Sequence, residues 1–318
     1  MSNVLVTGAS GFVGRHLVRL LRSSIDKTYG STLRESGMPI VEQDGATALV
    51  CDMTDGPTVR DVVREVRPDA LYHLAGEAST GKAWENSIAT YEANVIGTSL
   101  LMEALQEFSP HCKVVLVTSA AVYGKVSGRE CPIQESQPLR PVDPYGISKA
   151  AQDSIGVQFA ASSDLEVVIA RPFNHIGPGQ TTGFVVGKIT TRIAEIEMGV
   201  RDPVMELGGL SAKRDFTDVR DVVSAYRLLM ERGRNGTHYN VASGKAESIQ
   251  KVLQLALAQT DMDIEIRASE QLRRPIDLPV LVGDPSRLQN ETGWKPGISL
   301  EQSITDAITY AREEILQR

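Results

Sequence analysis

The chain has 318 residues, 42% hydrophobic and 23% charged, with a formal net charge of −7. That length suits one large or two medium domains. The mild acidity without blocks of like charge argues against nucleic acid or an anionic membrane surface as partner, and no apolar run approaches the ~20 residues needed to cross a bilayer.

The opening MSNVLVTGAS has no basic n-region and reaches glycine early, so no signal peptide is expected. Cys51, Cys112 and Cys131 are odd in number and far apart, which suits packing or free thiols in a reducing cytoplasm. No metal site is expected.

The first predicted strand, NVLVT, runs into Gly8, Gly11 and Gly14 and then an amphipathic helix. A glycine at the strand end permits a tight turn, the second lets backbone approach a pyrophosphate, and the third lets helix and strand pack closely. Phe12 and Val13 open the helix beside them and join the cofactor-binding set. The second predicted strand and its exit, KTYGSTLRES, end near Arg34. A guanidinium forks around a 2′-phosphate, which favours NADP(H), while the adjacent Glu35 leaves NAD(H) open. Asp52 closes ALVCD where it can accept from the adenine amine, with Met53 next to it. Leu74, Ala75 and Gly76 are expected to line the far ribose and the diphosphate.

In DGPTVRDVVREV the valines at 59, 62, 63 and 66 share one helical face. Strands (NVLVT, ALYHLA, KVVLVTS, LEVVIARP) alternate with helices, so the fold class is α/β: a Rossmann-type doubly wound parallel sheet with a smaller α/β substrate-binding lobe. The expected plan is discontinuous: residues 1–173 plus about 216–242 form the dinucleotide domain, about 174–215 plus 243–290 the lobe, and 291–318 a C-terminal helix segment.

At the end of KVVLVTS stands Ser119, and PYGISK carries Tyr145 and Lys149 four apart at a helix start, hence on one face. A tyrosine of pKa ~10 is a poor acid or base at neutral pH, and a neighbouring ammonium is expected to lower that value. Ser119 is expected to hydrogen-bond the same substrate oxygen. It lacks the GxSxG setting of an acyl nucleophile. Phe216 and Trp294 are read as core and anchor.

The glycine spacing GxxGxxG together with YxxxK resembles the extended, nucleotide-sugar-modifying branch of the short-chain dehydrogenase/reductase superfamily. Asn94 matches an asparagine of that superfamily, and simple helix packing explains it equally well. In the 4,6-dehydratases of this branch the strand-end hydroxyl is followed by acidic residues, which elimination of water requires as base and acid. Here Ala120 and Ala121 stand there. ARPFNHIGPGQ, KRDFTDVRDV and the stretch from Leu272 to Pro296 resemble the GDP-mannose branch. That resemblance implies that Pro172 and Phe173 back the nicotinamide. It also implies that Asn174 and Gln180 face the sugar nucleotide and that Arg214 and Arg274 clamp its diphosphate. Val185 and Lys188 open a helix expected to close over the nucleotide.

The activity implied is NADPH-dependent reduction of the C4 ketone of a GDP-linked 4-keto-6-deoxy sugar, GDP-4-keto-6-deoxy-D-mannose, to GDP-D-rhamnose; a nucleotide-sugar 4-epimerase with tightly held NAD is the alternative. Relatives commonly dimerise through a four-helix bundle, here from helices at about 83–107 and 145–162.

Overall fold

The computed structural model describes residues 2–24, 26–269 and 278–317. The first part of the chain alternates strand and helix: β1 (Asn3–Thr7), α1 (Phe12–Leu21), β2 (Lys27–Thr32), α2 (Met38–Asp44), β3 (Thr47–Val50), α3 (Gly56–Val66) and β4 (Ala70–His73). It continues through α4 (Thr80–Glu85), α5 (Ser87–Tyr91), a π-helical turn (Glu92–Ile96), α6 (Gly97–Phe108), β5 (Lys113–Val117), α7 (Pro144–Ser162) and β6 (Glu166–Pro172). The second part is less regular: β7 (Asn174–Ile176), α8 (Val185–Glu197), β8 (Val204–Leu207), β9 (Lys213–Asp218), α9 (Val219–Arg232), β10 (His238–Val241), β11 (Ala246–Ser248) and α10 (Ile249–Leu257). Then come β12 (Glu265–Ala268), β13 (Val280–Leu281), α11 (Ser286–Thr292) and α12 (Leu300–Leu316).

Seven parallel strands form the main sheet in the order β10-β6-β5-β4-β1-β2-β3. Side chains alternate between its faces with a period of two. Val4, Val6 and Val168 pack under α1 and α9, against Leu17, Val18, Val222 and Leu229. Leu5, Leu71, Val167 and Ile169 pack under α3 and α6, where Val59, Val62, Val63 and Val66 form the expected buried face. The chain winds outward one way from β1 and then crosses to β4 to wind the other way. The gap between the C-terminal ends of β1 and β4 is therefore the switch point where open α/β sheets take ligands.

The lobe has its own core, in which α8 and α10 bury Ile189, Ile193, Val252 and Leu253 against Met205, Phe216, Ile304 and Ile308. One boundary differs from the sequence-based plan, which left the last segment without a core. β9 pairs with β7, β11 and β13, so residues 216–218 lie in the lobe's sheet and the return to the larger domain comes at α9. The segment after 290 is divided between the two cores: Trp294 is buried with α9 and donates from Nε1 to Asp221 O (2.9 Å), whereas α12 joins the lobe through Ile304 and Ile308.

Candidate active site

Thr7 ends β1 and Gly8 follows at φ +70°, a left-handed conformation that glycine adopts without strain. A Cβ at Gly8 would sit 3.0 Å from the backbone of Ala75, and one at Gly14 would sit 2.3 Å from Gly8 O. These two positions bring the loop, the 74–76 turn and the start of α1 into a contact that admits no side chain. No side chain caps α1, leaving its first-turn amides for an anion at the positive helix end. Thr7 Oγ1 accepts from the amides of Leu74 and Ala75 (3.1 and 3.2 Å), tying both segments together at the switch point. A narrow, glycine-built cradle with free helix-terminal donors fits the diphosphate of a dinucleotide. The ring of Phe12 stacks 6.1 Å from His175, and Val13 packs against the core under α1.

Arg34 lies two residues past the end of β2, exposed and extended (φ −137°, ψ 153°), with Glu35 beginning the next turn. Asp52 follows β3, and its Oδ1 accepts from Thr54 N (2.9 Å) and Thr54 Oγ1 (2.7 Å). Met53 buries its side chain in the core.

Ser119 follows β5, and its Oγ accepts from Ala121 N (3.1 Å) as the cap of a short turn at Ala120–Tyr123. Asp143 caps α7 through Gly146 N (2.7 Å). A Cβ on Gly146 would sit 2.9 Å from Ala121 O, so the start of α7 lies directly on the Ser119 turn. There the Tyr145 phenol comes near the Ser119 hydroxyl. The methyls of Ala120 (buried) and Ala121 occupy the next two positions.

One expectation is corrected. Tyr145 is not made more acidic: burial pushes its phenol up to about 12, with Asp143 and Glu77 acting in the same direction and only the Ser119 hydroxyl against them. Lys149 is on the expected face, but its ammonium donates to Val117 O (3.3 Å) and Gln152 Oε1 (2.8 Å) rather than spending its charge on the phenol. Burial lowers the Lys149 ammonium to about 8, partly offset by Glu77.

Asn94 sits in the π-helical turn and is fully buried. Its Oδ1 accepts from Glu77 N (2.8 Å), and its Nδ2 donates to Glu77 O (3.1 Å) and Ser148 Oγ (2.9 Å). Asn94 thus fixes the loop after Gly76 against α7. Glu77 was missed from sequence because nothing in HLAGEAS signals that its carboxylate comes near both Tyr145 and Lys149.

On the lobe side, Pro172 ends β6 and the ring of Phe173 is buried against Gly283. Asn174 is exposed at the start of β7. Gln180 uses both ends of its amide, donating to His175 O (2.7 Å) and accepting from Gly187 N (3.2 Å), which sets the loop against the first turn of α8. Val185 begins α8 and packs on the lobe core. Arg214 donates from Nη1 to Lys213 O (2.9 Å) and Leu278 O (2.6 Å). Arg274 lies outside the described residues. Lys188 lines an open cleft of about 780 Å³ together with Arg192, Arg201, Arg267 and Glu206. These three arginines escaped the sequence reading. The i, i+4 spacing of Lys188 and Arg192 on one helix face was the available signal. Asp202 also lines the cleft, and Arg192 and Arg201 pair with Glu195 while Arg267 pairs with Glu265.

Residues 5–307 match the GDP-mannose 4,6 dehydratase family. GDP-6-deoxy-D-mannose reductase of Pseudomonas aeruginosa is 34% identical over 315 residues, covering 98% of this chain and 99% of that protein. GDP-6-deoxy-D-talose 4-dehydrogenase of Aggregatibacter actinomycetemcomitans is 31% identical over 293 residues, 91% of each. Among solved structures, RMD from Pseudomonas aeruginosa complexed with NADPH superposes with a TM-score of 0.87 at 31% identity, covering 99% of this chain and 100% of that one.

Proposed function

The chain belongs to the GDP-mannose 4,6-dehydratase family, and from that premise we propose that it is an NADPH-dependent reductase of GDP-4-keto-6-deoxy-D-mannose, forming GDP-D-rhamnose. The observation that carries this reading is Tyr145 at the start of α7, set against the Ser119 turn, with two alanines following that serine. Elimination across C5–C6 would need a base and an acid beside the sugar, and neither methyl serves. Ketone reduction needs only a proton donor and a polarising hydroxyl.

When bound, the reduced nicotinamide supplies hydride to the ketone carbon. The protein's own part is proton handling and charge. Tyr145 holds its proton throughout the neutral range, because its phenol stands at about 12. An alkoxide is more basic than even that phenolate, so the proton passes from Tyr145 Oη to the sugar oxygen. Ser119 donates to the same oxygen as charge develops. Lys149, cationic below about 8, holds the ribose beside the ring and faces the phenolate that remains. Lys188 at the start of α8 is assigned to the nucleotide, where a cation suits a diphosphate. The test is incubation with NADPH and a panel of nucleotide-linked 4-keto sugars, following the absorbance of the reduced nicotinamide. Stoichiometric consumption with the GDP-linked ketone supports the reading. Purification with tightly held NAD(H), and sugar conversion without added reductant, would make it an epimerase.

NADP preference is assigned to Arg34. Arg34→Ala should lower kcat/KM for NADPH by about 10–100-fold, the worth of a lost charge-assisted contact, and leave that for NADH nearly unchanged. An unaltered NADPH/NADH ratio would place 2′-phosphate recognition elsewhere.

The protein is proposed to be a homodimer built on a four-helix bundle. α7 hides Ser148, Lys149, Gln152 and Asp153 while showing Ile147 and Val157 to solvent, the reverse of a surface helix. The neighbouring 80–108 region exposes Trp84, Ile88 (64%) and Ile96 (53%). A contiguous apolar face of this kind marks an interface. Ile88→Glu with Ile147→Glu should halve the mass seen in sedimentation equilibrium, and a wild-type protein that is monomeric at micromolar concentration would reject the dimer. The free thiols of Cys51, Cys112 and Cys131 suit a reducing cytoplasm.

A further inference from the structure

A chain of buried polar side chains links the three segments assigned to the cofactor. Lys149 Nζ donates to Gln152 Oε1 (2.8 Å), and Gln152 Nε2 donates to Thr98 Oγ1 (2.8 Å). His73 Nε2 lies 3.0 Å from that same hydroxyl, and His73 Nδ1 lies 2.8 Å from Thr7 Oγ1. Thr7 then accepts from the amides of Leu74 and Ala75. All five side chains are buried.

Counting protons orients every member. Thr98 has a single hydroxyl proton, given to Asn94 O (2.7 Å), a carbonyl in the π-helical turn. Thr98 Oγ1 is therefore an acceptor toward both Gln152 and His73. His73 must carry its proton on Nε2, and its bare Nδ1 takes the proton of Thr7. Burial, reinforced by the Lys149 charge, keeps the His73 ring neutral by lowering it to about 3. Gln152 then has only one orientation. Flipped, its amide would set N–H groups against the ammonium and a carbonyl against an oxygen with no proton to give. Lys149 consequently meets two acceptors, Gln152 Oε1 and Val117 O, and keeps one of its three N–H groups for another partner.

We propose that Gln152 is a positioning residue for Lys149, held in its working orientation by Thr98 and His73, so that the third N–H of the ammonium is aimed at the cofactor ribose. This rests on the reading of Lys149 as the ribose-holding lysine. The titratable groups around Lys149 are Glu77 after β4, the neutral His73 at its end and Tyr145 one turn earlier on α7. Asp153, next on the helix, is committed to Arg171 and His238.

The experiment follows NADPH fluorescence on binding to the full-length protein across pH, with Gln152→Met and Gln152→Glu. Wild-type binding should weaken as pH rises through about 8, where the ammonium discharges. Gln152→Met removes the acceptor at nearly constant volume. It should weaken binding about tenfold at neutral pH and move the midpoint down by about one pH unit. Gln152→Glu keeps the acceptor toward Lys149 and adds a charge, so the midpoint should move up by about one pH unit. Its second oxygen meets Thr98 Oγ1, whose proton must turn from Asn94 O to it, so some affinity is lost. Midpoints that stay at the wild-type value, or that move in the same direction in both variants, would overturn the proposal. Should Gln152→Met fail to fold, the upward shift in Gln152→Glu decides alone. A wild-type protein that binds NADPH but reduces no 4-keto sugar would overturn the reductase reading and leave the Gln152 midpoints to be read. Binding of neither NADPH nor NADH would overturn both.

Discussion

Tyr145→Phe is expected to lower ketone reduction by about 10²–10⁴-fold, the usual worth of a positioned general acid, with NADPH affinity within a few-fold of wild type. The ring stays in place, and only the hydroxyl with its proton is lost. Ser119→Ala should cost less, because it removes a polarising donor and leaves the proton source. The pH profile carries a second signature. A phenol at about 12 remains protonated across the neutral range, so the alkaline fall in activity should follow Lys149, near 8. Stopped-flow measurement of hydride transfer separates these steps from product release. A Phe variant with wild-type single-turnover rate would remove Tyr145 from the mechanism.

Asp153→Ala is expected to destabilise the fold by about 3–5 kcal/mol, because it strands a buried guanidinium. Asp153 takes Arg171 in a two-pronged contact (2.8 and 2.9 Å) and His238 Nε2 at 2.9 Å. Arg171 also donates to the Tyr123 hydroxyl (3.1 Å), which donates to Asn240 Oδ1 (2.6 Å). This cluster pins α7, the Ser119 turn, β6 and β10 together beneath the site. Burial alone would raise the Asp153 carboxyl, but the hydrogen bonds from Arg171 and His238 outweigh it and hold the carboxyl below the usual range. With the folded value depressed, the stabilisation is present above the ordinary carboxylate pKa and is lost as pH falls through the lowered one. Thermal melts at neutral pH should show a drop on the order of 10 °C, partly recovered when Arg171 is replaced by Met as well. A loss below about 1 kcal/mol would contradict the pairing.

Much of this site was legible because its demands fall on single residue types. Only glycine tolerates the contacts at Gly8 and Gly14, and the strand–loop–helix context names their purpose. The face shared by Tyr145 and Lys149 follows from helical spacing. What spacing omits is the surroundings. The effect of burial on Tyr145 comes from the whole enclosing shell, and the partners of Lys149 are a carbonyl on β5 and a glutamine whose orientation depends on Thr98, some fifty residues away. The sequence assigned Lys149 the right face and the wrong partner. Gln152 and Glu77 lie outside any motif, and the arginines of the cleft come from separate elements joined only by the lobe's folding. The last segment was left without a core for a related reason: the pattern of α12 reports an amphipathic helix, but not which of two cores receives it.

The most direct test uses NADPH carrying deuterium at the transferable C4 position, with the GDP-linked 4-keto-6-deoxy sugar and the product examined by mass spectrometry and NMR. Deuterium should appear at C4 of the sugar, one per NADPH consumed, and transfer should nearly cease in Tyr145→Phe although that variant still binds NADPH. Product without deuterium at C4, or transfer undiminished in the Phe variant, would contradict the account.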